Sequence, residues 1–132
     1  MSNNPVVHFE MPYEDGDRLQ AFYRSVFGWQ MNALGAEMGN YVLAQTAETV
    51  ENNMVTTPGT INGGFAPKSD MYSQPNVVIA VENIAAAMHS VTGAGGSVHG
   101  EPVEIPGIGM YVNFTDTEGN RVSMLQPVAR RG

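Results

Sequence analysis

One pattern occurs twice in this chain, and the repeat limits the possible fold more than any other feature. Val6 to Met11 alternates, with Val7, Phe9 and Met11 on one face and His8 and Glu10 on the other, as a half-buried strand does. A turn, Tyr13-Glu-Asp-Gly-Asp17, then supplies helix-capping acids. Leu19, Phe22, Tyr23, Val26 and Phe27 follow at helical spacing and form one apolar stripe. Gly28 stops that helix. Later, Asn76 to Val81 alternates with Val77, Ile79 and Val81 on one face, and Asn83 caps a helix bearing Ile84, Ala87, Met88 and Val91. Gly93, Gly95 and Gly96 end it. An offset of 68 (76 − 8) sets His8 on Asn76, Phe9 on Val77 and Met11 on Ile79; an offset of 67 (95 − 28) sets Gly28 on Gly95. The faces coincide, so the chain reads as an internal duplication.

Each helix leads into strand-like segments. These are Trp29–Leu34, Asn40–Thr46 and Thr60–Pro67 in the first half, and Ser97–Ile105, Met110–Asp116 and Asn120–Gln126 in the second. Gly35, Gly39, Pro58-Gly59, Pro106-Gly107 and Glu118-Gly119 supply turns. Glu48–Pro58 reads as a long polar loop, and Ser69–Pro75 as the linker between the halves. The expected fold class is α+β: a single domain over 1–132 built from two tandem βαβββ modules, at about 5–68 and 75–127. Each module should curl its sheet with the helix on the outer face, leaving a concave cavity for a ligand.

Composition narrows the function. Six basic residues against thirteen acidic give a net charge of −7, which repels nucleic acid and anionic membranes and tolerates a cationic ligand. The same charge also serves solubility alone. No apolar run approaches the roughly 20 residues of a membrane span, and the start, Met1-Ser-Asn-Asn-Pro5, has no secretory pattern. Cysteine is absent, which removes disulfides and thiolate metal sites. A cytoplasmic protein is the simplest expectation. No serine sits in a nucleophile elbow, and no phosphate-binding loop is visible.

Several segments resemble the vicinal-oxygen-chelate superfamily, which includes glyoxalase, bleomycin-resistance and extradiol dioxygenase proteins. They are His8-Phe-Glu10, Arg18-Leu-Gln-Ala-Phe22-Tyr23, Val26-Phe-Gly28-Trp29 and Ile61-Asn-Gly63-Gly64 in the first half. In the second they are Val77–Val81 with Glu82-Asn83, Gly95-Gly96, Pro106-Gly-Ile-Gly109 and Asp116-Thr-Glu-Gly119-Asn120, with Thr117 where the family usually has proline. The resemblance is nearest to uncharacterised proteins related to lactoylglutathione lyase. It implies a homodimer and, in the best-known members, four ligands to one divalent metal such as Zn, Ni, Fe or Mn. Imidazole and carboxylate donors suit such metals. Carried over residue by residue, the ligand positions fall on His8, Asn62, Asn76 and Ser123, so one metal-binding side chain of four is kept. Uncharged amides and hydroxyls bind first-row metals poorly, and no cofactor is therefore expected.

The candidate catalytic residues are His8 and Glu10, and the candidate ligand-binding residues are His8, Glu10, Asn62, Asn76 and Ser123. His8 can serve as a general base, a ligand contact or a lone metal ligand; the plain alternative is a half-buried histidine with an ordinary hydrogen bond. Glu10 can orient the imidazole or bind a cation, or can simply be solvated. Asn62 and Asn76 equally suit turns or strand ends. Gly63-Gly64 either permits close approach of a ligand or partner strand, or marks a bulge. Met54, Met71 and Met110 are candidates for an adaptable pocket wall, against plain core filling. Trp29 and Tyr111 can stack on a planar ligand, although a tryptophan directly after a helix usually packs; His89 and His99 read as surface residues.

Two functions follow. One is a metal-independent protein that binds a small organic ligand, whether a glyoxalase-like binding protein or an uncharacterised enzyme with a degenerate metal site. The other is a divalent-metal-dependent lyase, isomerase or dioxygenase.

Overall fold

A computed structural model describes residues 3–50, 54–55, 57–70 and 72–128. The chain divides into two compact units: His8–Pro75, and Met1–Val7 together with Asn76–Gly132. The elements are β1 (Val6–Tyr13), α1 (Gly16–Phe27), β2 (Gln30–Ala33), β3 (Val42–Gln45), β4 (Thr49–Val50), β5 (Met54–Val55), β6 (Asn62–Pro67), β7 (Asn76–Ala80), α2 (Ile84–Gly93), β8 (Ser97–Ile105), β9 (Gly109–Thr115) and β10 (Arg121–Pro127).

In the His8–Pro75 unit the strand order is β2-β3-β6-β1, and in the other it is β7-β10-β9-β8. In both, the first strand lies parallel beside the last, and the remaining neighbours are antiparallel. The α+β class and the doubled βαβββ plan therefore stand as expected. The expected polar loop 48–58 differs: it holds a short antiparallel ladder pairing Thr49 with Val55 and Val50 with Met54.

Local chemistry sets the element ends. Asp15 accepts a hydrogen bond from the Arg18 backbone N–H at 3.0 Å and caps α1, and Gly28 closes it at φ 73°. Asn83 caps α2 through the Ala86 N–H at 2.9 Å. Between β9 and β10, the Asp116 carboxylate accepts from the Asn120 side chain (3.0 Å) and from the backbone N–H groups of Asn120 (2.9 Å) and Glu118 (2.8 Å). These bonds, led by the Asn120 side chain, hold Asp116 below its ordinary pKa.

One expectation about α1 is corrected. Leu19 and Tyr23 pack on the sheet, but Phe22, Val26 and Phe27 are 53%, 56% and 59% exposed. Each residue turns the helix by about 100°, so Phe22 cannot share the direction of Tyr23. The line that faces the sheet runs through Leu19 and Tyr23, and the five-residue stripe is split.

Each unit has its own core. Val42, Ala44 and Phe65 are buried beneath Phe9, Met11, Tyr13, Leu19, Tyr23, Trp29 and Met31. Fully burying a side chain such as Phe65 contributes about 2–3 kcal/mol. Trp29 stacks on Tyr23 with centroids 4.7 Å apart, so it is a packing residue rather than a ligand platform. The second core gathers Val81, Ile84, Val112 and Met124, with Met110 packed against it as core filler. Met71 lies outside the described residues, as does the side chain of Met54.

Candidate functional site

The alternation of each strand gives every sheet two faces. In the His8–Pro75 unit, Phe9, Phe65, Val42 and Ala44 take the helix side. Their neighbours take the other: His8 pairs with Asn62, Glu10 with Gly64, and Leu43 with Gly64 from the opposite flank. Tyr41, two residues before Leu43, shares that face.

Gly63 and Gly64 keep continuous register with Phe9 and Glu10, so they form no bulge. Their missing side chains create room on both faces. A Cβ on Gly63 would collide with the Phe9 ring, and one on Gly64 would collide with the Tyr41 ring. Tyr41 therefore crosses the last strand over Gly64 and reaches the first. There its hydroxyl donates to Glu10 Oε2 at 3.0 Å and meets His8 Nε2 at 3.1 Å.

Burial is graded along this line. Glu10 is 5% exposed, whereas His8 and Tyr41 are partly exposed. Burial lowers the His8 pKa to about 4, which keeps the imidazole neutral near pH 7. Burial, reinforced by the Glu10 charge and hydrogen bond, pushes the Tyr41 phenol up, so it stays protonated. Asn62, although opposite His8, is used locally. Its Oδ1 accepts from the backbone N–H groups of Thr46 (2.9 Å) and Ala47 (3.1 Å), while the Thr46 hydroxyl donates to the Ile61 carbonyl.

The same face of the other unit carries a different set. Ser123 pairs with Val78 on one flank and Asn113 on the other. Asn113 Nδ2 donates to Ser123 Oγ at 2.7 Å and to Tyr111 Oη at 3.2 Å. Tyr111 Oη lies 2.7 Å from Ser123 Oγ, which in turn donates to Asn76 Oδ1 at 3.4 Å. Ser123 is fully buried and Asn113 is 7% exposed. Every member of this set is uncharged. Among the described residues, no buried side-chain nitrogen or oxygen lacks a partner.

The structure thus joins His8 to Glu10 in one unit and Asn76 to Ser123 in the other, with Asn62 a separate staple. Sequence reasoning missed Tyr41 and Asn113 and assigned Tyr111 to stacking rather than hydrogen bonding. A signal was present: Gly39-Asn-Tyr41-Val and Gly109-Met-Tyr111-Val repeat at an offset of 70 (111 − 41). His99 contacts the Thr115 hydroxyl at 2.6 Å. His89 lines a shallow groove between α2 and β8 with Met88, Val98 and Glu101.

A first-row metal needs converging imidazole and carboxylate donors. In the first unit those donors, His8 and Glu10, are both directed onto Tyr41. In the second unit, Asn76 and Ser123 are an amide and a hydroxyl bonded to each other. Among the described residues no three His, Cys, Asp or Glu side chains gather as a metal site. These residues do not fit the usual transition-metal centre. No helix among the described residues is long and apolar enough to cross a membrane.

Residues 6–47 match the family model described as bleomycin resistance protein-like N-terminal. The chain is 26% identical over 125 residues to a Mycobacterium tuberculosis protein named "Putative glyoxylase CFP32", covering 92% of this chain. It spans only 44% of that relative's length. It is also 26% identical over 128 residues to the "Probable lactoylglutathione lyase" of Vibrio cholerae, covering 96% of this chain and 93% of the relative. In fold it is similar to a Streptomyces coelicolor methylmalonyl-CoA epimerase solved with 2-nitronate-propionyl-CoA (TM-score 0.70, 14% identity, 99% of each chain). It is likewise similar to the Mycobacterium tuberculosis methylmalonyl-CoA epimerase (TM-score 0.66, 13% identity, 94% of this chain and 88% of that one). Two units of one βαβββ order, the matched N-terminal segment and these likenesses agree with the resemblance to the vicinal-oxygen-chelate superfamily that the sequence carries.

Proposed function

We propose that this chain binds a small organic ligand at His8, on the face turned away from the helix, and does so without a resident transition metal. One observation carries this reading: the hydrogen-bonded line from partly exposed His8 through Tyr41 to buried Glu10. A neutral imidazole backed by a fixed tyrosine and a buried carboxylate is a preorganised polar contact, able to hold a ligand or to exchange a proton with it. His8 and Glu10 are the residues assigned to chemistry if the protein is an enzyme. Asn76 and Ser123 supply neutral hydrogen-bonding groups on the corresponding face of the second unit. Cytoplasmic placement and pairing with a second copy of the chain belong to the same reading, the latter carried from the superfamily resemblance.

A thermal-shift screen of small organic acids, phenols and amines tests it, since a ligand that binds only the folded state raises its stability. His8→Ala should abolish the ligand-induced shift while leaving the melting temperature of the free protein within a few degrees. An unchanged ligand shift in that variant would make His8 structural.

The names of the relatives favour a second reading, a divalent-metal-dependent lyase, isomerase or dioxygenase. Elemental analysis of the gently purified protein separates the two. About one Zn, Ni, Fe or Mn per chain would support the metalloenzyme and overturn the metal-independent reading.

A further inference from the structure

We infer that Tyr41 is a positioning residue that locks His8 as the Nε2–H tautomer, so that the site selects ligands bearing an O–H or N–H donor. The inference rests on the proposed ligand site at His8 and adds the class of ligand it takes.

Proton bookkeeping on three side chains gives the result. A tyrosine hydroxyl has one proton to give. The Tyr41 proton is directed at Glu10 Oε2, 3.0 Å away. The Tyr41 oxygen can then only accept from His8 Nε2, at 3.1 Å. A neutral imidazole carries one N–H, so placing it on Nε2 leaves the lone pair on Nδ1. Nδ1 is then an acceptor, and a ligand meeting it must bring a donor. The direction of the line is set at its buried end, where the Tyr41 hydroxyl donates to Glu10 Oε2. Burial keeps His8 neutral, so the lone pair persists at pH 7.

The surroundings agree. The other strands of this face contribute Asn62, Gly64 and Leu43, none of them titratable. Among the described residues, Tyr72 is a further ionisable group felt by Tyr41. Neither Glu10 nor the net charge of −7 favours an anionic ligand. A neutral hydroxyl or amine N–H, or a cationic N–H, is the chemistry that remains.

Ring-nitrogen NMR of the three histidines tests the inference, with the His8 signals assigned by their loss in His8→Ala. In the wild-type protein at pH 7, His8 is expected as the neutral Nε2–H tautomer. In Tyr41→Phe the lock is removed and both tautomers should appear. Phenol and anisole are a matched probe pair, one with a donor and one without. Phenol should bind wild type roughly tenfold more tightly, about the worth of one hydrogen bond, and that preference should fall to about twofold in Tyr41→Phe, by the same measure. A wild-type Nδ1–H tautomer, an imidazolium at pH 7, or equal affinity for phenol and anisole would overturn the inference. Should neither probe bind, the ligand site proposed at His8 loses its support, while the wild-type tautomer still decides whether Tyr41 sets the proton. That wild-type measurement also stands if Tyr41→Phe fails to fold.

Discussion

Tyr41 and Tyr111 hold the same place in the two halves, two residues before Leu43, which pairs with Gly64, and before Asn113, which pairs with Ser123. Their hydroxyls nevertheless end on different strands. Tyr41 crosses Gly64 and reaches Glu10 and His8 on the first strand. Tyr111 stops at Ser123 on the last strand, inside a set of neutral groups. The residue under the ring makes the difference: glycine lets the ring pass, and serine offers its own hydroxyl first. One half thereby keeps an ionisable line and the other a neutral cluster, from one topology. Duplication fixed the scaffold, and a few side chains divided the chemistry.

The largest expected effect that sharpens this contrast is on pH dependence. The folded-state pKa of His8 is about 4, below its ordinary 6.5, because burial disfavours the charged ring. The folded protein then binds fewer protons than the unfolded chain between those values. The stability tied to neutral His8 is complete above about pH 6.5 and is lost as pH falls toward 4. At about 1.4 kcal/mol per pKa unit the loss approaches about 3 kcal/mol. His8→Asn places in the first half the residue type that the second half has at Asn76. Urea unfolding of that variant should show a flatter stability between pH 7 and pH 4.5; an undiminished slope would assign the dependence elsewhere.

Next in size is Gly64→Ser, which gives the first half the serine found in the second. The new Cβ meets the Tyr41 ring, and such overpacking costs about 1–3 kcal/mol. The change should also detach Tyr41 from His8, visible as a shift in the His8 ring signals. Stability equal to wild type with the His8 signals unmoved would mean that glycine is not what routes the tyrosine.

The smallest effect is a difference between two deletions. Tyr41→Phe removes a donor from a buried carboxylate, and hydrogen bonds to charged groups contribute about 1.5–3 kcal/mol. Tyr111→Phe removes a hydroxyl from the uncharged Ser123 and Asn113, where about 0.5–1.5 kcal/mol is typical. Denaturant midpoints should place Tyr41→Phe about 1 kcal/mol below Tyr111→Phe, as those ranges imply. Equal losses would erase the distinction between the two faces.

Much of the scaffold was readable in the residues. Alternation at Phe9 and Met11 named the core face of β1, and the acids of the Tyr13–Asp17 turn, Gly28 and Asn83 marked helix ends where the structure has them. Strand limits mostly fell within two residues, because turn chemistry is local. The apolar stripe of α1 misled, because periodicity reports which residues are apolar and not how wide a surface awaits them. His8 and Glu10 were found because they alternate against the core residues of a single strand. Tyr41 and Asn113 were not, because the contacts that give them meaning span 31 residues for Tyr41–Glu10 and 10 for Asn113–Ser123.

By itself, the sequence determined the doubled βαβββ plan and the faces of the first strands. These follow from period, turn residues and side-chain type, which are local properties. Only the tertiary structure decided that Gly64 gives Tyr41 its path, that Asn62 is spent on the Thr46–Ala47 backbone, and that Ser123 holds Tyr111 among neutral partners. Those outcomes depend on which strands become neighbours and in what register, and a hydrogen bond across strands forms only when that register brings its donor and acceptor together.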